Sequence, residues 1–232
     1  MVPNSTSFVG RVVNFTIKRL TRLLCRVDDS LLARAPAQGP LIMVVNHINF
    51  WEAPILYTHL LPRPMTGFVK SENWDKAAGR FLFNLWDGIP IRRGEADLAA
   101  IRRGLAALEA GRILAIAPEG TRTGDGQLQR GHPGVVMMAL RSGAPLLPVA
   151  CHGAENYRRD LARLRRIPFN IVVGRPFYLN VDGVKVTREV RQWITDEIMF
   201  QIAALLPPAY RGVYSDLAVA TERFLRFPVA QA

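Results

Sequence analysis

A chain of 232 residues, 49% of them hydrophobic, can bury a sizeable core and is too apolar for disorder to be its main state. Its 30 Lys and Arg against 19 Asp and Glu give a formal charge of +11, which points to an anionic partner such as lipid phosphates, nucleic acid or a small phosphorylated substrate. Cys25 and Cys151 fit neither a C-x-x-C pair nor a zinc spacing, so neither a disulfide framework nor a metal site is expected, and a reducing compartment is the simpler assumption.

Residues 8–27, FVGRVVNFTIKRLTRLLCRV, predict a basic amphipathic helix: Phe8, Val12, Phe15, Leu20, Leu23, Leu24 and Val27 alternate with five basic residues and no acid. Arg11, Lys18, Arg19, Arg22 and Arg26 interrupt the stretch where a signal peptide needs an uncharged core, so the segment reads as mature structure. Two readings stand: a surface helix with its apolar face on the core, or a helix lying in a membrane interface. No run in the chain reaches the ~18–20 apolar residues of a membrane span, because charges, Pro and Gly interrupt each one.

After the linker APAQGP (35–40), apolar runs alternate with helical patterns. LIMVV (41–45), ILAIA (113–117), LLPVA (146–150) and FNIVV (169–173) read as buried strands. Residues 95–110 carry Leu98, Ile101, Leu105 and Leu108 at helical spacing and stop at Gly111; 134–142 repeat the design and stop at Gly143; 187–206 form a closing helix. This alternation predicts an α/β fold, a largely parallel mixed sheet flanked by helices, with ligands bound beyond the carboxyl ends of the strands. The loops after residues 45, 91 and 117 should matter most, while the last 25 residues carry no clear pattern.

His47 directly follows the first strand, where an imidazole can be held rigidly and still face a substrate; a merely structural or solvated loop histidine is the plainer reading. Glu52, five residues on, could cap a helix from Asn49, but Pro54 would then fall at the fifth helical position and spoil a hydrogen bond. A helix beginning near residues 51–53 suits proline better and leaves 48–52 as a turn. Such a turn can fold Glu52 back onto His47, which a helix cannot do well at ~140° around its axis. The carboxylate would fix the imidazole tautomer, leaving the second ring nitrogen to take a proton from a hydroxyl.

Two further clusters follow strands. In APEGTRTGDGQLQRG (117–131), Glu119, Gly120, Thr121 and Arg122 offer a carboxylate, a permissive backbone, a hydroxyl and a guanidinium; in GIPIRRGEAD (88–97), Arg92 and Arg93 lie between a short strand and a helix start. Taken singly, each also reads as an ordinary exposed turn. His132 and His152 read as packed or solvated histidines.

Together, in order and spacing over about residues 38–155, these clusters resemble the glycerolipid acyltransferase superfamily, specifically the lysophosphatidate acyltransferase (PlsC-like) family. The family's first block, N-H-x-S-x-x-D-x-P, is similar to NHINFWEAP, which keeps Asn46, His47 and Pro54 but has Asn49 for serine and Glu52 for aspartate. PIRRG resembles the second block, with Arg93 its best match; PEGTR (Pro118–Arg122) matches the third in full, and APLLPVACHG (144–153) looks like the fourth. The resemblance implies a glycerophosphate acyltransferase-like fold over 35–232, preceded by a membrane-associating helical segment, 1–34. It implies His47 as general base, Glu52 as its orienting carboxylate, and Arg93, Glu119, Gly120, Thr121 and Arg122, with Lys70 and Arg92, as the site for the acceptor's phosphate. The implied reaction moves a fatty acyl group from acyl-CoA or acyl-ACP to 1-acylglycerol 3-phosphate, with no cofactor and no metal, at the cytoplasmic face of the cell membrane as a peripheral or monotopic protein. In that setting the basic helix reads as an interfacial anchor. Another lysolipid or headgroup lipid as acceptor, or a non-catalytic binder of anionic lipid, stays open; nucleic acid is not expected, since the four Trp and scattered Arg form no recognition module.

Overall fold

The computed structural model describes residues 5–92 and 97–228. In chain order the elements are α1 (Phe8–Leu24), β1 (Cys25–Asp28), β2 (Leu41–Val45), α2 (Glu52–His59), β3 (Met65–Lys70), α3 (Ala77–Leu85), β4 (Ile89–Ile91), α4 (Leu98–Glu109), β5 (Ile113–Ile116), α5 (Gly134–Ser142), β6 (Leu146–His152), α6 (Tyr157–Ala162), β7 (Ile167–Val173), β8 (Tyr178–Leu179), α7 (Arg188–Leu205) and β9 (Leu225–Arg226), with short 3-10 turns between some of them.

Seven strands form one sheet in the order β1-β7-β6-β2-β5-β3-β4. Five of them run parallel, and β7 turns antiparallel to β6, with β1 following β7 in parallel. The carboxyl ends of β2, β5, β3, β4 and β6 therefore lie along one edge, and each of the three expected loops leaves from it. All five residues of β2 are buried, because helices cover both faces; a strand buried on both sides reads as a continuous apolar run. Ile42, Val44, Leu114 and Leu146 meet α4, α5 and α7 on one face; Leu41, Met43, Ile113 and Leu147 pack toward α2 and α6 on the other.

Helix ends obey local chemistry. Thr187 caps α7 by accepting from the Val190 amide at 3.3 Å, and Gly143 closes α5 in the left-handed region at φ 64°. The amphipathic helix departs from the expected 8–27: α1 stops at Leu24, and Cys25–Asp28 pairs with β7 as the sheet's edge strand. Arg166 holds that junction by donating to the carbonyls of Arg22 and Cys25.

The orientation of α1 bears on the first of its two readings, an apolar face on the core. Its buried face is Gly10, Asn14 and Thr21, a stripe of small and polar residues at helical spacing, which packs against α2. Asn14 accepts from the Trp86 indole at 2.9 Å, and the Thr21 hydroxyl lies 3.3 Å from His59 Nε2. The apolar residues point outward instead, with Phe8 74%, Phe15 59% and Leu23 69% exposed. The apolar face is thus not on the core. No helix among the described residues is long and apolar enough to cross a membrane.

Candidate active site

Asn46 and His47 are the first residues beyond β2, and their neighbours hold them firmly. The buried Asn46 amide bridges the next strand, donating to the Cys151 carbonyl at 2.9 Å and accepting the Cys151 amide at 2.7 Å. His47 then turns out of the sheet edge, its side chain 22% exposed. Helix α2 begins at Glu52, so Pro54 stands third, where the missing N–H has no helical partner to lose; the Ile55 amide makes the first bond back, to Trp51 O at 3.2 Å.

His47 Nδ1 and Glu52 Oε2 are 2.8 Å apart. Glu52 is buried, and the Asn49 amide also donates to its two oxygens, at 3.0 and 3.2 Å. The capping bond and the imidazole bond coexist on one carboxylate. Asn49 completes the turn, accepting the Trp51 amide at 2.9 Å and donating to the Ala154 carbonyl at 2.8 Å. This tight turn absorbs the extra methylene of glutamate. With Nδ1 committed to a carboxylate, Nε2 is the nitrogen left to work as an acid or base.

The loop after β5 lies beside the dyad, because β5 is the next strand to β2. Glu119 is buried and joins the two loops: Oε1 accepts the His47 amide and Oε2 the Gln129 amide, both at 2.9 Å. Thr123 N donates to His47 O at 2.9 Å and Gly124 N to Ile48 O at 3.1 Å, so the loops are zipped on both sides of the imidazole. Gly120 takes φ +68°, and a Cβ there would come within 3.1 Å of the His132 ring. Thr121 and Arg122 are exposed, and among the described residues Arg122 has no carboxylate partner.

Glu119 stands apart from the other residues expected to meet a phosphate. Both of its oxygens already accept backbone amides, and a carboxylate repels an anion. Burial pushes its carboxyl up to about 7, against the pull of the Gln129 and His47 amides and of the His47 ring. Its geometry is that of a brace for His47.

Lys70 ends β3 and lies in register with Ile91 at the end of β4, which places Arg92 on the same edge. Lys70 is exposed and paired with Glu72 at 2.9 Å. At ~4.8 Å per strand, these two ends stand about 10 and 14 Å along the edge from the strand of His47. Arg93 lies outside the described residues. Three bracing roles are not visible in the sequence, although two of the residues stand out there for other reasons: the Asn46 bridge, the Glu119 clamp and Thr123. Each joins residues far apart in the chain, where local pattern is silent.

A histidine–carboxylate pair at the carboxyl edge of a mostly parallel α/β sheet, beside an exposed glycine–threonine–arginine loop, holds the groups that general-base chemistry near an anionic group requires. A model of the acyltransferase family matches residues 26–152, more than half of the chain, and the chain belongs to that family. It is 34% identical over 136 residues to a lyso-ornithine lipid O-acyltransferase of Pseudomonas aeruginosa, a match covering 58% of this chain and 50% of that one. A 1-acyl-sn-glycerol-3-phosphate acyltransferase of Bacillus subtilis is 26% identical over 145 residues, covering 62% of this chain and 69% of its own length. The chain thus spans about half the length of the first of these relatives. The crystal structure of the 1-acyl-sn-glycerophosphate acyltransferase of Thermotoga maritima shares the fold at a TM-score of 0.58 and 20% identity, covering 84% of this chain and 79% of that one.

Proposed function

We propose that this chain transfers a fatty acyl group from a thioester, acyl-CoA or acyl-ACP, to the hydroxyl of 1-acylglycerol 3-phosphate, yielding phosphatidate. The observation that carries the reading is the 2.8 Å contact of His47 Nδ1 with Glu52 on the strand end beside the Thr121–Arg122 loop. His47 Nε2 takes the proton of the acceptor hydroxyl as that oxygen attacks the thioester carbonyl, and Glu52 holds the imidazolium that forms. The attack makes the C–O bond; collapse of the tetrahedral intermediate then re-forms the carbonyl, breaks the C–S bond and returns the proton from the imidazolium to the leaving thiolate. A positioned base of this kind is worth ~10²- to 10⁴-fold. Backbone amides of the surrounding loops stabilise the oxyanion.

Gly120, Thr121 and Arg122 receive the acceptor's phosphate, with Arg92, Arg93 and Lys70 extending the positive edge. Glu119 acts on the backbone of His47 rather than on the phosphate. The outward apolar face of α1, rimmed by Arg11, Arg19 and Arg22, lies in the membrane interface and keeps the enzyme at the cytoplasmic face of the membrane where its acceptor resides.

The 34% identity to the lyso-ornithine lipid enzyme favours a second acceptor, a lyso amino-acid lipid whose carboxylate would occupy the arginine loop. A panel of acceptors separates the two. Product formation with lysophosphatidate should exceed that with monoacylglycerol, which lacks the phosphate, by at least about 10²-fold in kcat/KM, the worth of one or two charge-assisted contacts. Equal rates with both would remove the phosphate role of Thr121 and Arg122; transfer to lyso-ornithine lipid alone would select the second acceptor.

A further inference from the structure

The arginine loop is held from behind by a part of the chain that lies beyond the family match, which ends at residue 152. After α7 the backbone crosses back over the segment 126–131. Leu128 N donates to Tyr210 O at 3.0 Å and Val213 N to Leu128 O at 3.2 Å, so the two stretches pair through backbone hydrogen bonds. Gly212, at φ +51°, fits against Leu128 so closely that a Cβ there would lie 2.1 Å from its carbonyl oxygen.

Two tyrosines finish the attachment at opposite ends of the segment. The Tyr210 ring covers Gly126, where a Cβ would meet Cδ1 at 3.0 Å, and its hydroxyl donates to Glu155 Oε1 at 2.8 Å. The buried Tyr214 hydroxyl accepts the Gly131 amide at 3.1 Å and donates to Asp196 at 2.8 Å. Gly126 N in turn donates to Thr123 Oγ1 at 3.2 Å, and Thr123 N to His47 O. A continuous chain of contacts thus runs from Tyr210 through Gly126 and Thr123 to the catalytic histidine, along the loop that presents Thr121 and Arg122.

We propose that residues 208–214 form a strap that sets the conformation of the acceptor-binding loop, with Tyr210 as its main positioning residue. The proposal rests on the acyl-transfer reading for its kinetic consequence but not for its structural one. The ring of Tyr210, rather than its hydroxyl, makes the contact with Gly126, so Tyr210→Phe should keep the device and Tyr210→Ala should release it. Gly212→Ala should release it from the other side.

The test uses the full chain in detergent with lysophosphatidate and an acyl-CoA. Tyr210→Ala and Gly212→Ala should raise the acceptor KM about tenfold while the donor KM stays within about twofold, and Tyr210→Phe should stay within about twofold of wild type in both. Amide exchange without substrate should be at least about tenfold faster at Thr123, Gly126 and Leu128 in Tyr210→Ala, with the β2 and β5 amides unchanged. A fall in kcat with both KM values unchanged would mark plain loss of folded enzyme and overturn the proposal, as would unchanged exchange in the loop. If wild type acylates no lysophosphatidate, the acceptor reading fails, and the exchange measurement alone decides the strap.

Discussion

Glu52 places its two oxygens between two nitrogens: His47 Nδ1 and the Asn49 amide hold them through three contacts of 2.8–3.2 Å. Capping and the proposed catalysis share one geometry, since the bond to Asn49 fixes the carboxylate that fixes the ring. Glu52→Gln puts an amide nitrogen against one of these donors and removes the charge that stabilises the imidazolium, so kcat should fall ~10²- to 10³-fold. Glu52→Asp draws the carboxylate back by about 1.5 Å, one bond length, and should lose about tenfold. Steady-state rates on variants with wild-type circular dichroism check both, and a wild-type kcat for Glu52→Gln would return Glu52 to capping alone. Glu119 makes a different prediction. Burial raises its carboxyl from 4.5 to about 7, so between those values the folded chain holds a proton that the unfolded chain has released. The stability it contributes is full below pH 4.5 and is lost as pH rises through about 7. Unfolding free energies from urea titration, wild type minus Glu119→Gln, should therefore decline over that interval, by no more than about 3 kcal/mol. A flat difference would mean the carboxyl ionises normally.

Helix α1 reverses the usual assignment of faces. Gly10, Asn14 and Thr21 do the packing, through a hydrogen bond to Trp86 and the contact with His59, while Phe8, Phe15 and Leu23 face outward. A polar inner face needs specific partners, and the pattern of apolar residues alone does not reveal which stripe has them. Each large side chain moved into lipid is worth ~1.5–3 kcal/mol, so replacing Phe8, Phe15 and Leu23 together with Ser should weaken liposome partitioning at least about 100-fold at any salt concentration. Replacing Arg11, Arg19 and Arg22 with Gln should weaken it at low salt and little at high salt, because that contribution is screened. Flotation with anionic vesicles measures both; partitioning unchanged by the apolar substitutions would remove the helix from the interface. The same segment shows why short edge elements escape a reading of pattern. Cys25–Asp28 is four residues with Arg26 and Asp28 exposed, too few for a period-2 signal.

At the scale of the whole molecule, the sheet gathers three distant loops onto one edge. That much is legible in the sequence: strands covered on both faces appear as apolar runs, Gly111 and Gly143 mark helix ends, and Pro54 places the start of α2. His47, Glu52, Thr121 and Arg122 each fall in the segment after one of these strands, but it is the family resemblance, not the pattern, that implies they form one site. Illegible are the bonds that make the edge rigid, because they join residues 72 positions apart, as His47 with Glu119, or 105 apart, as Asn46 with Cys151. A buried amide or carboxylate at such a joint looks, in sequence, like any polar loop residue; Glu119 reads there as a ligand group and in space as a brace. The strap over 208–214 has no periodic pattern at all, being held by backbone pairing and two tyrosines. Upon this frame rests the central claim, that His47 Nε2 removes the acceptor's proton. The direct measurement is the rate of labelled acyl transfer from acyl-CoA to lysophosphatidate by folded wild type and folded His47→Ala. A loss of ~10³-fold or more in kcat/KM with donor binding intact is predicted, whereas a His47→Ala enzyme working at the wild-type rate would contradict the account.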